Sequence, residues 1–571
     1  MSFNPRSAGN TQLSSRLRLG CSSLLVSASF LTFFSAQRVL GQGYLMTALS
    51  VPGSTGDSSP LGINASGEVV GTFTPKGSAN TKGFFYSAGK YTILNGPAGT
   101  DGPVRALGIN SAKPPVVSGD YFAGGRFHGF TYDTATKTYL NYDYNGTDSS
   151  AIFAINDHND LAGAFGHINE PQEGFVVIGG NKIPFYGQGT DSTYAYGINN
   201  AGDAVGEFID SMGLAHGFLR TAANQKITVI DYPGAAQTYL YGINTAGEIS
   251  GTYITAKGQE YGFTYAKGKF AVADFGVVDG LNDAGDYDGT YFGVDGAATG
   301  YVALPQAFSL SKVSIPTAYS EYGAVITAIN NAGVMVGGYN DSMGNTHGIV
   351  IDGTKVTIVN NPEGVQTVLY SINSTNEIVG DAFDSQGNPH GFKYSSGTFT
   401  SIPGPSGALS SDATGINDQG WIAGDYYGTD NTHHGFLLKG STYQKLNIPG
   451  AKATFAAGIN NAGMIVLAGP DAKSYFESYL YTGSAYESIA VPGASQNFAA
   501  AINNAGDIVY RILDQNNDQH AALKKGNDFY VFDYPGGFNS GAQGINDSGE
   551  ITGFYSPSAN SQLTVVFKGK E

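Results

Sequence analysis

The chain has 571 residues, which is enough for two or more domains, and a formal net charge of −17 at pH 7. That charge argues against a nucleic-acid-binding protein, because phosphate contacts need basic patches. The 82 glycines, 36 tyrosines and 33 phenylalanines argue against a helical chain and predict many short strands joined by tight turns.

The first 41 residues have the pattern of an export signal. Arg6, Arg16 and Arg18 precede a mostly apolar stretch over 19–34, and residues 39–41 offer a small-residue cleavage site. An uncleaved membrane anchor is the alternative, but the apolar stretch is shorter than the ~20 residues that a spanning helix needs. We therefore expect a protein that is secreted or held at the cell surface.

Cleavage of this segment would change the composition of the chain. It would remove Cys21, the only cysteine, so the mature chain would contain no disulfide. It would also remove four of the 29 basic residues and no acid, which leaves 25 basic and 46 acidic residues, a net charge of −21. Such an acidic chain is expected to be soluble outside the cell.

The phrase Gly-Ile-Asn-x-x-Gly, or a close variant, recurs twelve times after the signal, at intervals of 38 to 48 residues. Asn favours the first position of a type I turn, and Gly three positions later suits a left-handed residue that closes a hairpin. Each copy therefore predicts a hairpin between two short strands. The asparagines are Asn64, Asn110, Asn156, Asn199, Asn244, Asn282, Asn330, Asn373, Asn417, Asn460, Asn503 and Asn546.

The residues after each phrase also repeat. In most copies a second glycine lies seven residues after the asparagine and precedes an aromatic residue, and a second turn then leads to a strand headed by His-Gly-Phe or a variant. A fourth strand ends at Pro-Gly before the next phrase. Four antiparallel strands in about 43 residues is the size of one propeller blade.

The two ends of the chain indicate how the blades close. The segment after the signal resembles a fourth strand without a blade, and the last segment resembles a third strand without a fourth. The same excess and deficit occur near residue 306. In a closed ring the spare strand completes the last blade and removes exposed sheet edges. We predict an all-β fold of twelve four-stranded repeats in two six-bladed propellers, 42–305 and 306–571; the alternatives are one larger ring or a β-solenoid.

With these repeats the chain resembles the bacterial extracellular family named HAF after its His-Ala-Phe-like signature. The matching elements are the twelve phrases and the triplets that begin at His128, His216, His347, His390, His434 and His520. The resemblance covers essentially everything after residue 42. It implies secretion from a bacterium and a repeat β fold, but no activity. The units with Lys82, Glu173, Tyr261 or Thr299 in the histidine position depart from the signature.

The signature histidines and the acidic turns are candidate metal ligands. The histidines occupy equivalent positions in different blades, so ring symmetry keeps them apart, whereas zinc ligands must converge to ~2 Å from the metal. Turns at Asp341, Asp384 and Asp514 could bind Ca²⁺, but none has the full calcium loop with its terminal Glu. We expect structural roles for these residues and no cofactor.

Function in a repeat protein is expected where the repeat breaks down. The copies at Asn460 and Asn503 replace the second glycine by Leu467 and Tyr510. We predict a ligand patch on one face of the second propeller, with neutral drift as the alternative. The patch comprises Tyr510, Arg511, Glu477, Asp514 and Trp421.

The sequence contains no recognisable catalytic motif, although a carboxylate pair for glycoside cleavage needs closeness only in space. We therefore favour a secreted, monomeric, non-catalytic protein that binds a glycan, a protein or a surface component, or serves as a scaffold. The alternative is a lactonase- or glycosidase-like hydrolase with its site in a central channel. That alternative predicts several acids, absent from the other repeats, converging on one axis.

Overall fold

The computed structural model describes residues 42–144, 149–167, 170–187, 190–272, 277–292, 298–471, 474–514, 517–534, 538–558 and 565–570. These residues form 48 strands, and their one helical segment is a short 3-10 turn, Thr317–Tyr319. The predicted signal segment, 1–41, lies outside the described residues.

The first half of the chain contains 24 strands: β1 Gln42–Leu49; β2 Ser54–Ile63, β3 Val69–Pro75, β4 Lys82–Ser87 and β5 Lys90–Leu94; β6 Val104–Ile109, β7 Val116–Ala123, β8 Arg126–Asp133 and β9 Thr138–Tyr142; β10 Ser149–Ile155, β11 Leu161–Gly166, β12 Glu173–Ile178 and β13 Asn181–Phe185; β14 Thr190–Ile198, β15 Ala204–Asp210, β16 Ala215–Arg220 and β17 Ile227–Val229; β18 Gln237–Ile243, β19 Ile249–Ile254, β20 Glu260–Ala266 and β21 Lys269–Val272; β22 Val277–Leu281, β23 Tyr287–Phe292 and β24 Ala298–Ala307.

The second half contains the other 24: β25 Ser309–Lys312; β26 Ala324–Ile329, β27 Met335–Asn340, β28 Thr346–Asp352 and β29 Lys355–Ile358; β30 Gln366–Ile372, β31 Ile378–Phe383, β32 Pro389–Ser395 and β33 Thr398–Ile402; β34 Ala408–Ile416, β35 Ile422–Gly428, β36 His433–Lys439 and β37 Thr442–Leu446; β38 Phe455–Ile459, β39 Ile465–Pro470, β40 Phe476–Tyr481 and β41 Tyr486–Ser488; β42 Gln496–Ile502, β43 Ile508–Leu513, β44 Gln519–Lys525 and β45 Asp528–Phe532; β46 Phe538–Ile545, β47 Ile551–Ser556 and β48 Val565–Lys570.

The strands form twelve four-stranded antiparallel blades, and each half closes on itself through its own first strand. β24 pairs with β1 over eight residue pairs, and β48 pairs with β25 over four. The spare strand therefore completes the sixth blade in both halves, as the strand register predicted. This pairing confirms two six-bladed propellers and excludes the single larger ring and the solenoid.

The twelve asparagines form two closed rings of hydrogen bonds. Each side-chain amide Nδ2 donates to the backbone oxygen of the asparagine in the next blade, at 2.9–3.4 Å in the first propeller and 3.1–3.2 Å in the second. The last contacts return from Asn282 to Asn64 and from Asn546 to Asn330. In the same side chains, as in Asn199, Oδ1 accepts from backbone N–H groups of its own turn. The phrase therefore both shapes the hairpin and joins neighbouring blades.

In two blades the acidic partner of the ring asparagine is missing, and an asparagine from the next blade takes its place. In seven blades the second amide hydrogen of the asparagine is directed to a carboxylate four residues on, as from Asn64 to Glu68. The equivalent residue is Val334 after Asn330 and, because of a two-residue insertion, Val116 after Asn110. There the amide donates to Oδ1 of Asn159 and Asn376, at 3.0 and 2.8 Å. These are the two asparagines that replace glycine in the next blade, with φ near +60°.

The second glycine of the repeat allows the second strand to lie close to the innermost strand. A Cβ at Gly337 would overlap the carbonyl oxygen of Val325, whereas a Cβ at the adjacent Gly338 would lie 3.1 Å from the movable methyl group of Thr346. Since backbone cannot yield as a side chain does, we expect Gly337→Ala to lower the free energy of unfolding by about 2–3 kcal/mol. Gly338→Ala is the matched control.

Denaturant unfolding monitored by tyrosine fluorescence measures both variants. We expect Gly338→Ala to stay within about 1 kcal/mol of the parent protein. Equal effects of the two substitutions would contradict the proposed role of the second glycine.

A single strand connects the two propellers. β1 pairs with β24 of the first propeller on one edge and with β45 of the second on the other, through three residue pairs from Tyr44 with Val531 to Met46 with Phe529. Met46 is buried in a cluster that includes Tyr301 of the first propeller and Val531 of the second. The outer edges of two blades are therefore joined into one continuous sheet.

Candidate functional site

The predicted ligand patch does not form one site, because its first member belongs to the core. Tyr510 is fully buried and pairs with Ala522 on the third strand of its blade. The equivalent pairs in other blades are a glycine and a phenylalanine, for example Gly424 with Phe436. The large residue has moved from the third strand to the second, so the broken repeat is a packing exchange. Tyr510 is not available to a ligand.

The other predicted residues are distributed over both ends of the propeller. Trp421 follows the Asn417 turn, and Nζ of Lys439 lies 3.7 Å from the centre of its ring. Asp514 lies at the opposite end of the blades, where its Oδ1 accepts from the backbone N–H of Asp518 at 2.8 Å. Glu477 accepts from the hydroxyl group of Tyr479 at 2.8 Å. Only Arg511 belongs to the channel cluster described below.

The signature histidines bond to their own blades and pack on aromatic rings. Nδ1 of His216 lies 2.8 Å from Oδ2 of Asp231, and the imidazole stacks on Phe208. His434 likewise lies 2.8 Å from Asp430 and stacks on Tyr426. The repeated imidazole therefore holds a turn or a fourth strand against the second strand.

The acidic turns use their carboxylates in the same local way. Oδ1 of Asp341 and of Asp384 accepts two backbone N–H groups of its own turn. These bonds hold the pKa of Asp341 below the usual range, and the side-chain amide of Asn388 together with the backbone bonds does the same for Asp384. Among the described residues, no group of three or more His, Cys, Asp or Glu side chains is arranged to hold a metal ion. Of the Asp514 turn, residues 515–516 lie outside the description.

A cluster of polar side chains from two neighbouring blades lies at the inner strands of the second propeller. Asp412 lies on the innermost strand β34, five residues before Asn417, and pairs directly with Asp425 on β35. Asp381, on β31 of the preceding blade, reaches across to accept from the backbone N–H of Ala413 at 3.0 Å. Nδ1 of His433 lies 3.1 Å from Oδ2 of Asp425. Three carboxyls and an imidazole from two blades thus lie together, with Asp381 and Asp425 buried and Asp412 and His433 partly exposed.

Aromatic rings continue this cluster through the next two blades. Phe455 and Phe498 also lie five residues before their asparagines, at the same level as Asp412. Ring centroids are 4.8 Å apart for His433 and Phe455, 6.0 Å for Phe455 and Phe476, and 5.2 Å for Phe476 and Phe498.

Arg511 ends the series, with its guanidinium carbon 4.8 Å from the Phe498 centroid. We name the series the acid–aromatic arc: Asp381, Asp412, Asp425, His433, Phe455, Phe476, Phe498 and Arg511.

Two carboxyls of the arc, Asp425 and Asp381, have raised pKa values. Burial raises the pKa of Asp425 to about 7, with a further increase from the neighbouring Asp412 carboxylate that His433 partly opposes. Burial and the same carboxylate raise the pKa of Asp381 well above its usual value. Asp412, His433, Phe455, Phe498 and Arg511 are all partly exposed. The arc therefore offers a solvent-accessible aromatic surface together with hydrogen-bond donors and acceptors.

The opposite, asparagine end of this channel contains a cavity of about 90 Å³. Its rim is formed by the residue that follows each ring asparagine, and these side chains bond mostly to one another. Oδ2 of Asp547, for example, accepts from Nδ2 of Asn331 at 2.7 Å and of Asn504 at 2.8 Å. Because the rim satisfies its own polar groups, we place the candidate site at the arc.

Sequence reasoning missed most of the arc, although a signal for it exists. The residues five positions before each asparagine in this propeller are Val325, Val368, Asp412, Phe455, Phe498 and Gly541. Aligning the copies at that position identifies Asp412 as the one charged residue. The closeness of Asp381, by contrast, follows only from the contact between neighbouring blades.

No helix in the described part of the chain is long and apolar enough to cross a membrane. No family model and no curated protein matches the chain.

Several solved structures are similar over part of their length. TolB from Acinetobacter baumannii is 11% identical, with 43% of this chain and 63% of TolB covered and a TM-score of 0.32. The SapL1 lectin in complex with alpha methyl fucoside is 13% identical, with 44% and 95% covered and a TM-score of 0.31. The tricorn protease is 11% identical, with 88% and 55% covered and a TM-score of 0.28. The chain thus spans less than two thirds of TolB; the propeller assignment rests on the strand pairing itself.

Proposed function

We propose that the protein binds a saccharide and that the ligand lies against the acid–aromatic arc. The observation that carries the proposal is the position of two partly exposed rings, Phe455 and Phe498, at the same level of the inner strands as the polar groups of Asp412 and Arg511. A pyranose has an apolar face that packs on an aromatic ring and hydroxyl groups that bond to carboxyl and guanidinium groups. Buried carboxyls that retain their protons suit such an uncharged ligand.

Two substitutions in the arc test this function. We expect Phe498→Ala and Asp412→Ala each to weaken saccharide binding at least tenfold, because each removes one half of the recognition surface. Binding would be found on a glycan array and quantified by calorimetry on the full chain. Asp352→Asn, at an exposed outer turn of the same propeller, is the control and should leave the affinity unchanged. Unchanged binding in both arc variants, or no saccharide bound at all, would contradict the proposal.

One observation favours the hydrolase as a second candidate. The pKa of Asp425 is about 7 beside His433, and a carboxyl in that range can both donate and accept a proton at neutral pH. The same experiment separates the two functions. Turnover of the bound saccharide that Asp425→Asn abolishes, with binding retained, would assign a hydrolase; binding without turnover supports the non-catalytic protein.

A further inference from the structure

The channel of the first propeller contains a different set of side chains. Tyr194 and Tyr196 on β14, and Tyr239 and Tyr241 on β18, lie three and five residues before their asparagines and are partly exposed. The ring centroids of Tyr196 and Tyr241 are 5.6 Å apart, and Phe153 of the preceding blade lies 4.9 Å from Tyr196. Five aromatic rings from three blades therefore line about half of this channel.

Two carboxyls, Glu207 and Asp279, lie beside these rings, and a third, the exposed Glu260 on β20, is close enough to act on them. Glu207 on β15 is 6% exposed; its Oε1 accepts from the hydroxyl group of Tyr196 at 2.8 Å, and its Oε2 has no hydrogen-bond partner among the described residues. Asp279 occupies the inner strand of the sixth blade and is partly exposed. Burial raises the pKa of Tyr241, and Asp279, Glu207 and Glu260 raise it further, so all three carboxyls act on one ring.

The one basic side chain of these inner strands is already neutralised. Arg105 on β6 donates from Nε to Oδ1 of Asp120 at 2.8 Å, and its terminal nitrogen bonds to the other carboxylate oxygen. Asp120 is fully buried, which fixes the pair. The inner strands described for this propeller therefore supply no free basic side chain to Glu207, Asp279 or Glu260.

We propose that this channel binds a small organic cation, such as an amine, with the charged group against the tyrosine rings and a hydrogen bond to Oε2 of Glu207. Aromatic faces attract cations, and the attraction increases where water is excluded. Burial raises the pKa of Asp279 to about 7 and that of Glu207 and Glu260 as well, because a carboxylate without a counter-ion is disfavoured there. A bound amine supplies this counter-ion. The net charge of −17 also concentrates cations near the molecule.

This inference concerns the first propeller and is independent of the saccharide site in the second. Calorimetry on the full chain would compare 1,5-diaminopentane, glucosamine and glucose at pH 8 and low salt. We expect the amines to bind and the first propeller to contribute no glucose binding. Stronger binding of diaminopentane identifies an alkyl amine, and stronger binding of glucosamine identifies an amino sugar; both results support the proposal.

Substitutions in the first channel test whether the amine binds there. Glu207→Gln and Tyr241→Leu should each weaken amine binding at least tenfold, whereas Tyr241→Phe, which retains the ring, should bind within about threefold of the parent. Glu363→Gln, an exposed carboxyl on the second propeller, is the control.

An amine affinity that Glu207→Gln leaves unchanged, or the absence of amine binding to the parent protein, would overturn the proposal. Loss of amine binding in Phe498→Ala would also overturn it, because that substitution disturbs only the other channel. Saccharide binding that fails while amines bind refutes the proposed function and leaves this inference intact.

Discussion

Removing residues 42–49 should open the first propeller and lower its melting temperature by about 10 °C or more. The deletion removes β1, which closes the ring by pairing with β24 and also pairs with β45 of the second propeller. Burial of Met46 and Leu49, each 1% exposed, is worth about 3–6 kcal/mol. One kcal/mol corresponds to about 2–4 °C for a domain of this size. Scanning calorimetry should resolve two unfolding transitions, and only the one at the higher temperature should coincide with a transition of the parent protein.

Substitutions within β1 separate burial from chain length. Met46 and Ala48 belong to the same strand and point to the same face, but Met46 is buried whereas Ala48 is exposed. Met46→Asp would place a carboxylate in the buried cluster between the propellers. We therefore expect it to lower the melting temperature by most of the amount that the deletion does. Ala48→Asp should leave the melting temperature within about 2 °C of the parent value. If deletion of β1 leaves a single transition at the parent temperature, closure by this strand does not stabilise the ring.

The fold could be predicted because the repeated residues are those that particular backbone conformations need. Asparagine and a left-handed glycine define a hairpin by local chemistry alone, and counting strand types from each end identified the closing strands. The second role of the asparagines was not predictable in this way. The local turn already explains each residue, and the bond from Asn282 to Asn64 joins residues that are distant in sequence.

The candidate site was predicted less well, for two physical reasons. A broken repeat at Tyr510 indicated function, but the partner that compensates for it, Ala522, lies on another strand and is recognised only from the register. The arc, in turn, depends on side chains from neighbouring blades that meet around an axis. Arg511 was found because it adjoins an irregular residue, whereas Asp412 lies in a copy whose phrase is regular.

The stability of the protein should fall as the pH rises from about 4 to about 7, because of the arc. Asp425 is 4% exposed, and its pKa is about 7 in the folded state against about 4 in an unfolded chain. Between these values the unfolded chain has released this proton and the folded protein has not. The free energy of unfolding then falls by about 1.4 kcal/mol per pH unit, or about 4 kcal/mol in all, and levels off above pH 7 for this group.

Asp425→Asn identifies the source of this slope, because the amide has the same shape and does not titrate. Urea unfolding at pH 4.5, 6.0 and 7.5 should show a dependence on pH that is flatter by about 1.4 kcal/mol per unit in the variant. The slope that persists belongs to groups such as Asp381 in the arc and Asp279 in the first propeller, whose raised pKa values act in the same direction. An identical slope in variant and parent would mean that Asp425 is ionised in the folded protein.

Asp341→Asn provides a control of opposite sign. Hydrogen bonds within its turn hold the pKa of Asp341 below the usual range, so the stability it adds is complete above pH 4 and is lost only as the pH falls further. This substitution should therefore leave the slope between pH 4.5 and 7.5 unchanged. The two carboxyls lie in the same propeller, and only the one in the channel acts in the neutral range. The difference in slope between the parent protein and Asp425→Asn thus reports on the arc itself, independently of any ligand.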